Sequence, residues 1–191
     1  MKTRFVALLR GINVAAANRI RMDALRRLFE EAGFTGTETY IQSGNVLFDA
    51  EEPEEAVRQK IALTLKTDAG IETTVVLRTD AELSELIARC PFSADEIEAA
   101  KRVNAEAESF HVCLLPQPPA RTALDALAAV SPEGDRLVVV GRDVYLLLCR
   151  SIRLSKLAIR MQKIFPEGTV RNWNTISKLC ELANAEPGGG R

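Results

Sequence analysis

The stretch Thr37–Phe48, TETYIQSGNVLF, decides how the rest of the chain is read. TETYIQ and NVLF are rich in Thr, Tyr, Ile, Val and Phe, the residue types that fit a pleated surface. Ser43, Gly44 and Asn45 between them suit a tight turn, because Gly and Asn tolerate positive φ. A β-hairpin is therefore expected here, and its neighbours complete a unit. Upstream, Met22, Leu25, Leu28, Phe29 and Ala32 recur at helical spacing, and Gly33 stands where a glycine ends a helix. TRFVALL before that helix reads as a strand. Downstream, PEEAVRQKIALTLKTDAG reads as a helix with Pro53 at its start and Gly70 after its end, and ETTVVLR as another strand. The order is βαββαβ.

The same order recurs. Asp80 is placed to cap a helix over AELSELIARC, and Ser93-x-x-Glu96 forms a capping-box pattern for a second short helix. Beyond these come SFHVCLL (strand), ARTALDALAAV (helix) and the hairpin RLVVV–DVYLLLC turning at Gly141-Arg142. SKLAIRMQKIF (helix), TVRN (strand) and TISKLCELANA (helix) finish the series. The expected fold is α+β: tandem ferredoxin-like (βαββαβ) units with antiparallel sheets, over residues 1–80 and 108–184. A helical bridge spans 81–107, a closing C-terminal helix ends the second unit, and EPGGGR at 185–191 reads as a frayed tail.

The 191 residues are 47% hydrophobic and 27% charged, enough apolar side chain for a packed core. The longest apolar runs are strand-sized, so no membrane span is expected, and MKTRFVALLRGI lacks the features of a signal peptide. Cys90, Cys113, Cys149 and Cys180 are scattered, without the pairing of a zinc ribbon or redox motif. Reduced thiols in a cytoplasmic protein are expected, with no metal and no cofactor. The net charge of −1 hides an asymmetry: residues 1–26 carry +5, residues 150–178 carry +6, and residues 27–149 carry −11.

Right-handed crossovers place the loop after the first strand beside the hairpin turn, gathering RGINVAAANRIR and QSGN on one sheet edge. In the second unit CRSIRLSK and VRNWNT share an edge. Were the two edges to face each other, both basic ends of the chain would line one cleft. Arg10, Asn13 and Arg19 precede a helix N-terminus, where backbone N–H groups favour anions; equally, Arg10 could pair with an acid and Asn13 cap a turn. Ser43 and Asn45 suit the hairpin itself, whereas Gln42 exceeds what the turn needs. Ser155 suits an N-cap, but Lys156 in a first helical turn opposes the helix dipole, a conflict that a bound anion would relieve. Arg171, Asn172, Trp173 and Asn174 offer a phosphate contact beside an aromatic platform. Their plainer reading is that Asn174 or Thr175 caps the last helix and Trp173 packs against it. His111, the single histidine, falls in an apolar strand and suits a hydrogen-bonded structural role. No dinucleotide or P-loop glycine pattern occurs.

LLRGINV, RMDALRRLFEEAGF, TYIQSGNVLF, SKL and RNWNT together resemble the bacterial domain-of-unknown-function family 1697 across about residues 3–184. The resemblance implies a small cytoplasmic α+β protein and no established activity. The family's glycines after RGINV are replaced here by Ala15, Ala16 and Ala17, and its Gly-containing loop before SKL by RSIRL. Both changes remove the backbone freedom that a glycine-rich phosphate cradle needs.

Three functions are compatible with these residues. The first is a binding module for a phosphate-bearing ligand, a nucleic acid or nucleotide. The second is an enzyme acting on a small phosphorylated or carboxylated substrate, with Arg10, Lys156 and Arg171 stabilising developing charge but no obvious base. The third is a structural or partner-binding protein whose polar segments form an internal network. Oligomeric state is not legible in the sequence.

Overall fold

A computed structural model of the protein describes residues 2–14, 18–105, 107–130 and 133–185. Ala15–Ala17 and residues 186–191 of the expected tail lie outside the described residues. Among the described residues the chain is α+β, with seven helices and two four-stranded antiparallel sheets. The first six elements are β1 (Thr3–Leu9), α1 (Met22–Glu31), β2 (Thr35–Tyr40), β3 (Asn45–Ala50), α2 (Glu54–Ala69) and β4 (Val75–Thr79). Two helices follow, α3 (Asp80–Ala88) and α4 (Ala94–Val103). The remainder is β5 (Phe110–Leu114), α5 (Arg121–Ala128), β6 (Arg136–Val140), β7 (Asp143–Leu147), α6 (Lys156–Ile164), β8 (Thr169–Asn172) and α7 (Trp173–Asn184).

The first sheet has the order β2-β3-β1-β4 and the second β6-β7-β5-β8, with every neighbour antiparallel. β3 thus lies between β1 and β2, and β1 and β2 run parallel, each being antiparallel to β3. The chain divides into two compact units. One runs to Glu85 and takes up the chain again from Ser177, and the other is Leu86–Ile176.

Each unit has its own core beneath its sheet. In the first, Phe5, Ala7 and Leu9 of β1 and Val46 and Phe48 of β3 pack against Leu25 and Phe29 of α1 and Val57, Ile61 and Leu65 of α2. Phe34 and Phe48 meet with ring centroids 4.7 Å apart. In the second, Cys113, Leu115, Val144 and Leu146 meet Leu127, Leu157, Ala158 and Met161. Each such large side chain contributes about 1.5–3 kcal/mol by leaving water. In the first sheet Val6, Leu8 and Leu47, on the opposite face, are also fully buried.

Local signals set several helix ends. Gly33 (φ +89°) follows α1 and Gly70 (φ +65°) closes α2 in left-handed conformations. Ser93 and Glu96 form the expected reciprocal capping box on α4, at 3.2 and 2.7 Å. Two caps differ from expectation. Thr79, not Asp80, caps α3: its Oγ accepts the Glu82 N–H (3.1 Å) while the Glu82 carboxylate accepts the Thr79 N–H (2.9 Å). Asn172, not Asn174 or Thr175, caps α7, its Oδ1 accepting the Thr175 N–H at 2.8 Å, so the helix begins at Trp173. His111 also departs from expectation. It is buried, but its Nδ1 has no hydrogen-bond partner among the described residues.

Candidate anion-binding site

In the first unit, the end of β1 and the β2–β3 turn are laced together. The Leu9 N–H donates to the Gly44 carbonyl (2.8 Å) and the Arg10 N–H to the Thr74 carbonyl (3.1 Å). Gly44 sits at φ +75°, and a Cβ there would lie 2.9 Å from the Ile12 side chain. The turn therefore needs glycine for close approach as well as for its backbone. Asn13 (φ +57°) ties the loop to the turn. Its Oδ1 accepts the Ile20 N–H (2.9 Å), and its Nδ2 donates to the carbonyls of Ile20 (2.9 Å) and Gln42 (3.0 Å). Asn45 is fully buried, its Nδ2 donating to the Tyr40 carbonyl (3.1 Å) and Ser43 Oγ (2.9 Å). Asn13, Ser43 and Asn45 thus serve as frame.

This frame borders an open groove of about 790 Å³ lined by Asn13, Arg19, Ile20, Arg21, Met22, Asp23 and Gln42. Arg19 and Gln42 are exposed. Arg21 and Asp23 form a two-pronged pair at 3.0 and 3.2 Å, whose hydrogen bonding holds the Asp23 carboxyl below the usual carboxylate range. Arg10 follows β1 at the same edge, half-buried, outside the groove lining. Arg21 and Asp23 join this groove unexpectedly, although an acid in a first helical turn next to two arginines is a readable signal.

The second unit treats its basic segments differently. Ser155 is fully buried. Its Oγ accepts the Ala158 N–H (2.9 Å), the expected N-cap, and donates to Asp135 Oδ2 (2.6 Å). Asp135, 3% exposed, also accepts the Cys149 N–H through Oδ1 at 2.8 Å. Lys156 Nζ lies 2.6 Å from Glu133 Oε1, and Arg150 reaches the other Glu133 oxygen at 3.4 Å. The Lys156 ammonium above all holds the Glu133 carboxyl below its ordinary range. The dipole conflict at Lys156 is thus met by a carboxylate of the chain itself.

Arg171, 8% exposed, donates from Nη1 to Thr169 Oγ1 (2.8 Å) and the Val170 carbonyl (2.9 Å). Burial pushes its guanidinium down to about 10. Trp173 is half-buried and stacks on Phe110, with centroids 4.5 Å and planes 23° apart. Asn174 is exposed and donates to Glu108 at 3.2 Å. Glu133, Asp135 and Glu108 were missed because each acts on residues far along the chain. The acidic pair in Glu133-Gly134-Asp135 was their one visible trace.

Among the described residues no group of three or more His, Cys, Asp or Glu is placed to hold a metal ion, and no helix is long and apolar enough to cross a membrane. The fold and edge loops define a two-unit α+β protein. The same fold occurs in the conserved bacterial protein SP0830 from Streptococcus pneumoniae, with a TM-score of 0.78 and 18% identity, covering 97% of this chain and 100% of that one. The chain belongs to the family described as protein of unknown function (DUF1697), whose profile matches residues 1–145. No curated protein matches it.

Proposed function

We propose that the first unit is a binding module for a phosphate-bearing ligand, a nucleic acid or nucleotide held by Arg19, Arg10 and Gln42 at the groove edge. The observation that carries this reading is the groove itself: exposed Arg19 and Gln42 on a loop and turn fixed by Asn13. A planar guanidinium held near a rigid backbone suits bidentate recognition of phosphate oxygens. Each unit is read as a ferredoxin-like fold, the order also used by RNA-recognition motifs. Stacking bases on the first sheet is disfavoured here, because Val6, Leu8 and Leu47 are already buried. The loop edge, by contrast, presents the exposed Arg19 and Gln42. A cytoplasmic setting accords with four cysteines that form no disulfide.

The test is fluorescence anisotropy of labelled single-stranded RNA and of a labelled nucleotide, with wild-type protein, Arg10→Ala and Arg19→Ala. Each substitution should weaken binding roughly tenfold and reduce the slope of log affinity against log salt by about 0.7 per lost phosphate contact on a single strand. Saturable binding unaffected by both substitutions would overturn the assignment. So would the absence of binding to either probe.

A structural role is the second reading, favoured for the second unit by the buried Ser155–Asp135–Cys149 bonds and the Glu133 ion pairs. No comparable observation favours an enzyme: among the described residues, the carboxylate lining the first-unit groove, Asp23, is already paired with Arg21.

A further inference from the structure

We infer that β6 is a homodimerisation edge, at which two copies of the chain pair β6 to β6 antiparallel about Val138. β6 is an outer strand of the second sheet, hydrogen-bonded on one side only, to β7. Its sequence is RLVVV, and Leu137, Val138, Val139 and Val140 are all half-buried, Leu137 and Val139 against the core of the second unit. The β6–β7 turn has two residues, with Gly141 at φ +60° in the first central position, the pattern of a II′ hairpin. Such a turn makes Val140 and Asp143 a hydrogen-bonded pair. Alternation then makes Val138–Tyr145 and Arg136–Leu147 hydrogen-bonded as well. The N–H and C=O groups of Leu137 and Val139 therefore point away from β7, and no other backbone group bonds to them among the described residues.

The other outer strands carry devices that β6 lacks. β2 is interrupted between Thr35 and Glu38, its Gly36 carbonyl accepts from the Arg4 guanidinium (2.6 Å), and Glu38 places a charge on it. In β4, Val75 to Arg78 are buried, and β8 has only four residues before it becomes a helix. Bulges, charges and brevity are the usual protections of an outer strand. Past Arg136 at its start, an unbulged run of apolar, mostly β-branched residues is the opposite, a template for another strand.

The occupant is a second copy because the strand complements itself. Centred on Val138, the pairing sets Leu137 against Val139 of the second copy and Val139 against Leu137 of the second copy. The two residues with outward backbone groups thus meet, and four backbone bonds close. Val138 faces its own counterpart across the two-fold axis as an apolar pair. Arg136 falls opposite Val140, and its guanidinium is already engaged by Glu96 and the Phe92 ring, so no like charges are opposed. The result is a continuous sheet of eight strands.

Sedimentation velocity on the full chain over a wide concentration range tests this. The wild type should reach twice the 21.0 kDa chain mass. Val139→Pro, which deletes one outward N–H at a position where an edge strand tolerates proline, should return it to the single-chain mass. So should Val138→Lys, which opposes two cations across the axis. A wild type that stays at the single-chain mass would overturn the inference, whether or not an extended segment of another protein uses the edge. A dimer that survives both substitutions would do the same. Should circular dichroism show Val139→Pro unfolded, Val138→Lys decides alone. Amide exchange gives a second reading: Leu137 and Val139 should be protected at high concentration, and fast exchange there would exclude the pairing.

Discussion

At Gly44 a side chain as small as a methyl group would collide with Ile12 and Leu9, and the left-handed backbone adds a second objection. Gly44→Ala should therefore cost about 2–4 kcal/mol by urea unfolding; a loss below about 0.5 kcal/mol would refute the close-approach argument. His111 has a different vulnerability. Burial lowers its pKa from 6.5, so the folded state binds a proton less readily than the unfolded one. Stability should be full above pH 6.5 and fall as the pH drops from 6.5 towards the lower folded value. In His111→Leu that dependence should vanish, with stability at neutral pH unchanged or raised, since the orphaned Nδ1 goes too. Unfolding curves at several pH values would show it, and an unchanged pH slope would contradict it. Single residues were legible where their partners are local. Ser155 was readable as a cap from its neighbours alone, whereas the partner of Lys156, Glu133, lies 23 residues away. No spacing rule connects them. Arg171 is a related case: its neighbours in sequence suit a phosphate contact, but its burial is set by β8, which places it opposite buried Val112.

Helix starts show how an element inherits its boundary. α3 and α7 each follow a strand with no loop between, β4 into α3 and β8 into α7. An N-cap needs an extended backbone with a side-chain acceptor, and the last residue of a paired strand already has that conformation. Thr79 is held by pairing with Phe5, and Asn172 by pairing with His111, so each becomes the cap. The sequence offered Asp80, Asn174 and Thr175 as equally good chemistry. Only the strand register chooses between them. Thr79→Ala and Asn172→Ala should each cost about 1 kcal/mol in thermal or chemical unfolding, and Asp80→Ala clearly less. Equal costs for Thr79 and Asp80 would refute the register argument. On α4, Arg136 and then the Ser93 backbone pull the Glu96 carboxyl from 4.5 down to about 2. A depressed carboxylate stabilises fully above its unfolded value and loses that contribution as pH falls from about 4.5 towards 2. Arg136→Ala should flatten the stability curve in that window.

At the scale of the molecule the linear order hides a discontinuity. The βαββαβ series was readable because each element carries its own period, cap or turn, but boundaries drawn at residues 80, 107 and 184 follow the chain. The first compact unit does not: it closes only when Ser177 onward joins the residues up to Glu85. Within it, Asn184 donates to Ser84 Oγ (3.2 Å), Cys180 Sγ lies 3.8 Å from the same hydroxyl, and Leu179 and Ala183 are buried. Contacts 96 and 100 residues apart in sequence leave no local trace, and each closes a long loop at an entropic cost. The first unit stays incomplete until the segment from Ser177 onward has joined it. A chain ending at Ile176 keeps both sheets, so its far-ultraviolet circular dichroism should stay close to that of the full protein. Its melting temperature should fall by about 5–10 °C, the loss expected for two or more kcal/mol of exposed apolar surface in a protein of this size. Leu179→Ala in the full chain should reproduce part of that fall. An unchanged melting temperature in both would mean that the last helix is an appendage and that the first unit is complete at Glu85.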